Sequence, residues 1–138
     1  MEEAVGDADI VTEAAVEQQS VKQDIFQTVD DIAPDRAILT TNTSGLNITK
    51  LAEATDRPAQ VVGTHWFNPP ILMDLVEVIE TEHVDSAVAD LCDSFIEDLG
   101  KTPIRCRRDV PMFIVNRCMR PFSEGPAWLV HYDEADIE

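Results

Sequence analysis

Apolar positions along the chain fall into two alternating rhythms. Strand-like runs occur at 10–16 (IVTEAAV), 37–42 (AILTTN), 60–67 (QVVGTHWF), 74–80 (DLVEVIE) and 102–108 (TPIRCRR). Between them apolar residues recur at helical spacing. Val21, Ile25, Val29 and Ile32 form one stripe, with Ser20 and Gln23 spaced as a capping box and Pro34 as its stop. Val88, Leu91, Cys92, Phe95 and Leu99 form a second stripe beginning at Asp85, and Gly100 stands where a C′ residue belongs. A shorter helix opens at Asn47 in NITKLAEAT. Pro111 predicts another, running through Asn116 toward Arg120. Beyond it, Pro121, Gly125 and Pro126 make the pattern less regular, and no internal repeat is present.

Strands alternating with helices predict βαβ units in an α/β domain with a mostly parallel sheet. Ligands of such sheets bind outside the carboxyl ends of the strands. Polar residues mark three of those ends: Glu17 after the first strand, NTSG (42–45) after the second, and His65 at the end of the third. Parallel pairing would set them on one rim.

Composition narrows the partners. The 138 residues suit a single domain with an ordinary core, 44% of them hydrophobic. Against 10 basic residues stand 27 acidic ones, a formal net charge of −17. Such a surface repels nucleic acid phosphates and anionic membranes, so neither is an expected partner. The acidic residues are spread along the chain, which suggests adaptation to a salt-rich cytosol. Cys92, Cys106 and Cys118 form neither a metal-ligand pattern nor a disulfide framework. With no bilayer-length apolar run and no signal-peptide pattern, a cytoplasmic location is expected.

The main chemical signal is Glu77 in LVEVI. On a strand it points the same way as Leu75 and Ile79, while Val76 and Val78 cover the other face. A carboxylate among apolar neighbours is costly unless paired. His65, on the preceding strand, is the natural partner. The pair is either a structural hydrogen bond or a general base with its orienting carboxylate. Taken alone, Ser44 before Gly45 reads as turn chemistry, Asn116 as a helix-surface amide and Lys22 as a solvated helix residue. His83 and His131 read as surface residues, and IRCRR as a solvated strand end.

Five stretches change those readings together. ADIVTEAAVEQQSVKQDIF, NTSGLNIT, GTHWFNPP, DLVEVIET and PMFIVNR, in this order and spacing, resemble the 3-hydroxyacyl-CoA dehydrogenase family over nearly the whole chain. The resemblance implies that His65 is the catalytic base and Glu77 the carboxylate that orients it. Ser44 and Asn116 would hold the substrate, and Glu17, Lys22, Ser44 and Asn68 would contact NAD. It implies oxidation of a 3-hydroxyacyl-CoA to a 3-ketoacyl-CoA in fatty acid β-oxidation, without a metal.

The family opens with a strand, a G-x-G-x-x-G turn and a helix, whereas Gly6, Gly45, Gly63, Gly100 and Gly125 are widely separated here. By resemblance, 1–108 is the C-terminal half of an NAD-binding Rossmann-like domain lacking its Gly-rich first strands. Residues 109–138 begin a helical C-terminal domain. Met112 stands where the family's PGF motif has glycine, and Gly125-Pro126 interrupts a helix of the family. An incomplete sheet predicts self-association or a partner chain that covers its edge. Two alternatives accompany the dehydrogenase reading: a non-catalytic remnant or interaction module, and one half of a split enzyme whose Gly-rich half is another chain.

Overall fold

A computed structural model of the chain describes residues 1–122. Gly125-Pro126, His131 and most of the segment 109–138 therefore lie outside the described residues. Five strands, β1 (Ile10–Glu13), β2 (Ile38–Thr41), β3 (Val61–Trp66), β4 (Leu75–Ile79) and β5 (Thr102–Cys106), form one sheet in the order β1-β2-β3-β4-β5. β1, β2 and β3 run parallel, β4 is antiparallel to β3, and β5 runs parallel to β4. The helices are α1 (Glu2–Val5), α2 (Gln19–Ile32), α3 (Thr49–Ala52) and α4 (Ser86–Asp98). A further helix, α5, covers 115–122.

Strand alternation sorts the core into two layers. Val61 and Ile79 face α2 and α3, in a core with Phe26, Val29, Leu39, Ile48, Leu51 and Phe113. Val62, Val76 and Val78 face α4, packing with Cys92 and Ile96. Gly63 lets α3's entry lie directly on β3: a Cβ there would meet Ile48 Cδ1 at 2.4 Å. His65, two residues further on the same face, is carried toward the first layer.

Several local expectations are corrected. β1 ends at Glu13 instead of continuing to 16, because the Glu13 carboxylate folds back to accept Ala15 N–H and draws the chain off the ladder. The Ser20–Gln23 capping box does not form. α2 starts earlier, with Gln18 at its N-cap and Ser20 inside it. The Gln19 and Gln23 amides instead donate to the Asn47 and Lys50 carbonyls, tying α2 to α3. The N-cap of α3 is Ile48, not Asn47, which lies one residue before it, although the Asn47 Oδ1 still accepts Lys50 N–H at 2.7 Å. α4 is capped by Asp85, which accepts Ala87 N–H, and is left through Gly100 at φ 74°. Its buried stripe is Ala89, Cys92 and Ile96, whereas Leu91 and Leu99 are exposed. Val88 and Phe95 flank that stripe, which leaves Leu91 off the buried face and Leu99 at the C-cap. Pro111 opens turns over 111–114, and α5 starts only at 115.

Arginines fasten the edges. Arg105 on β5 reaches Glu80, Asp90 and Asp93, pinning α4 to the sheet. Arg57 binds Asp30 and donates to the Pro34 carbonyl, closing the C-terminal end of α2. Cys92 and Cys106 are buried and Cys118 is exposed, all as free thiols. Burial first, then the neighbouring Asp93, pushes the Cys92 thiol up to about 12, so it packs as an apolar side chain.

Candidate active site

The antiparallel turn from β3 into β4 sets His65 directly opposite Glu77 in the ladder. His65 Nδ1 lies 2.7 Å from Glu77 Oε2. Both are buried, Glu77 completely. The other oxygen, Oε1, accepts the N–H groups of Ile114 and Val115, each at 2.8 Å. Burial opposes ionisation of this carboxyl. The hydrogen bond from His65 and those from Val115 and Ile114 outweigh it, holding Glu77 below the ordinary carboxylate value. An anionic Glu77 fixes the imidazole with its proton on Nδ1 and leaves Nε2 as a bare base. The ring stands between two aromatics. Phe67 lies 4.6 Å away and Phe113 5.5 Å, edge-on, by ring centroids.

A second polar cluster occupies the carboxyl ends of β1 and β2. Lys22, read from sequence as solvated, is 1% exposed. Its ammonium donates to both oxygens of Glu13, at 2.8 and 2.9 Å, and to the Ala15 carbonyl. Glu13 also accepts from Thr41 Oγ1. The Lys22 ammonium stands 3.7 Å from Glu17 Oε2, while Glu17 Oε1 accepts from Thr43 Oγ1 and from Ser44 N–H. Glu17 thus holds the turn that presents Ser44, whose side chain is exposed. Asn42 Oδ1 accepts Trp66 N–H and joins the end of β2 to the end of β3.

The structure brings His65 and Glu77 into contact, and links Lys22, Glu17 and Ser44 in one network. Asn68 is exposed just past β3, before the cis Asn68–Pro69 bond. Asn116 is half-buried in the first turn of α5, adjacent to the amide that binds Glu77. Sequence reasoning missed Glu13, Thr43 and Phe113. Glu13, nine positions before Lys22, falls inside the expected 10–16 strand and gives only a weak signal of the buried pair. No comparable signal marks backbone amides. Among the described residues, no three acidic, histidine or cysteine side chains gather to hold a metal, and no helix is long and apolar enough to cross a membrane.

Comparison with known proteins identifies the family and the fold. A family model described as 3-hydroxyacyl-CoA dehydrogenase, NAD binding domain, matches residues 1–110. A probable 3-hydroxybutyryl-CoA dehydrogenase of Deinococcus radiodurans is 44% identical over 115 residues, covering 83% of this chain and 41% of that protein. The fatty acid oxidation complex subunit alpha of Idiomarina loihiensis is 41% identical over 130 residues, covering 94% and 18%. The crystal structure of M. tuberculosis FadB2 superposes with a TM-score of 0.95 at 35% identity, over 99% of this chain and 48% of that one. The chain spans less than half the length of each of these proteins.

Proposed function

Because the chain belongs to the 3-hydroxyacyl-CoA dehydrogenase family, we propose that it carries the proton-handling centre of an NAD-dependent oxidation. In that reaction a 3-hydroxyacyl-CoA becomes a 3-ketoacyl-CoA in fatty acid β-oxidation. The observation that carries this reading is the buried His65–Glu77 pair at 2.7 Å, with the second carboxylate oxygen saturated by two amides. His65 Nε2 takes the hydroxyl proton as C3 loses hydride. Glu77 holds the ring and stabilises the imidazolium that forms. Ser44 and Asn116 donate to the oxygen as it gains carbonyl character.

The rim suits the nicotinamide end of NAD by the chemistry of its groups. Glu17 keeps a half-exposed carboxylate that can accept from hydroxyls, and Ser44 and Asn68 offer an exposed hydroxyl and amide. NAD, when bound, supplies the hydride acceptor. Lys22 acts on that end through Glu17, since its own ammonium is turned into Glu13. The pyrophosphate cradle of a glycine-rich turn is not among the described residues. We place the boundary between the sheet domain and the helical one after residue 108. A second copy or a chain bringing the remaining strands is the proposed partner of the sheet edge, and the cytoplasm the proposed location.

The test is NADH formation from NAD and 3-hydroxybutyryl-CoA, with His65→Ala beside the unaltered chain. Loss of the base should lower turnover by about 10²-fold or more while the circular dichroism spectrum stays the same. Equal rates would remove His65 from the mechanism. A folded chain without turnover would favour the interaction-module or split-enzyme alternative, and coexpression with a chain carrying the glycine-rich half separates those two.

A further inference from the structure

Two consecutive residues with side chains, Met112 and Phe113, adopt left-handed backbone, at φ 66° and 52°. Such a pair is rare outside glycine and persists only where its surroundings hold it. Here three contacts do so. The Phe113 side chain is 1% exposed within the core of the first layer. Phe113 N–H donates to the Val110 carbonyl, and Asp109 Oδ2 accepts Thr49 N–H at 2.7 Å, anchoring the turn to α3. On its other side the turn abuts the loop that carries Ser44: a Cβ on Gly45 would lie 3.9 Å from Met112 N.

The consequence of the double left-handed turn is directional. It reverses the chain so that the amides of Ile114 and Val115 both meet Glu77 Oε1. It also lays the Phe113 ring edge-on to His65. Val115 opens α5, since Ile114 accepts the first helical bond, from Cys118 N–H. The Glu77 carboxylate therefore sits at the start of a helix, where anions are favoured.

We propose that the 112–115 turn is the positioning element of the base, in which the Val115 amide and the Phe113 ring fix Glu77 and His65 in the orientation that leaves Nε2 free. The inference rests on the reading of His65 as a general base. Phe113 and Val115 are positioning residues: they act on the reacting atoms through Glu77 and His65.

The test uses the ¹⁵N-labelled full chain, without cofactor or substrate, and reads the His65 imidazole tautomer from its ring nitrogen shifts. Unaltered protein should show a single Nδ1–H form at a pH where the ring is neutral. Val115→Pro deletes one amide donor at the first helical position, which proline tolerates. It should give a mixture of tautomers, whereas Val115→Ala, which keeps the amide, should not. Phe113→Ala should likewise produce a mixture, and Phe113→Tyr, which keeps the ring, should restore the single form. Where turnover is measurable, Val115→Pro should lower kcat about tenfold with KM unchanged. A folded Val115→Pro protein with the unaltered tautomer would overturn the proposal, and if Phe113→Ala does not fold the Val115 pair decides alone. A single Nδ1–H form in a chain that makes no NADH would instead count against the dehydrogenase reading, so the two failures are distinct.

Discussion

A carboxylate with no exposed surface must find donors for its lone pairs, and Glu77 finds three: His65 and the amides of Ile114 and Val115. Its folded pKa is depressed below the ordinary 4.5. The ionised form therefore contributes stability that is fully present above the ordinary value and lost as pH falls through the lowered one. Glu77→Gln should cost about 1–3 kcal/mol at neutral pH, because an amide cannot satisfy all three donors. That cost should shrink below about pH 4.5. Urea unfolding of both proteins between about pH 6 and pH 3 measures it; parallel profiles would mean that folding leaves the Glu77 pKa unshifted, and a cost that grows as pH falls would mean that Glu77 folds uncharged. The pairing of Glu77 with His65 was legible because strand periodicity alone places a carboxylate among apolar residues. The burial of Lys22 was not, since helical spacing cannot say that a strand-end glutamate will receive its ammonium. Met112 reads as a departure from a glycine motif, and its φ of 66° explains why glycine suits that position.

At the scale of elements, the strands were legible from their apolar runs and the ends of the helices only in part. Asp85 and Gly100 announce α4 because their chemistry is local. The Ser20–Gln23 pair misleads because Gln23 gains more by reaching the Lys50 carbonyl across to α3. The same competition between local and distant partners governs β1. Among the described residues its outer edge pairs with no strand. An open groove of about 390 Å³, lined by Ile10, Ile38, Leu91 and Phe95 among others, runs beside it. An unpaired parallel edge flanked by apolar surface recruits another strand. Light scattering should show self-association of the chain, and Thr12→Pro on β1 should reduce it, because the backbone of Asp9, Val11 and Glu13 faces β2 and the Thr12 N–H, which proline removes, faces the open edge. A monomer at every concentration would count against the edge as an interface.

For the whole molecule, charge dominates. Of its 10 basic residues, Lys22, Arg36, Arg57, Lys101, Arg105 and Arg107 lie within 4.0 Å of a carboxylate. Most of the cations are thus spent on local clasps, and acidic residues remain in large excess. Self-repulsion of this kind weakens as the Debye length falls from ~10 Å at 0.1 M salt to ~3 Å at 1 M. Thermal unfolding in rising KCl should therefore move to higher temperature, with sodium sulfate kept out so that screening alone is read. A melting temperature independent of KCl would remove salt adaptation as the reason for the composition. Net charge was legible from sequence to the unit, but which acids were clasped was not, because Asp30, Asp90 and Asp93 meet their arginines only through tertiary packing.

The reversal between β3 and β4 has a consequence for heredity. Parallel neighbours such as β1 and β2 require a crossover, so their rim residues belong to distant stretches of the gene. His65 and Glu77 are twelve residues apart and face each other across a single hairpin-like return. Both members of the dyad, with the ladder that aligns them, are encoded between Val61 and Ile79. Any rearrangement that breaks the chain outside that stretch passes the dyad on as one piece, and leaves only its amide support to be supplied from elsewhere.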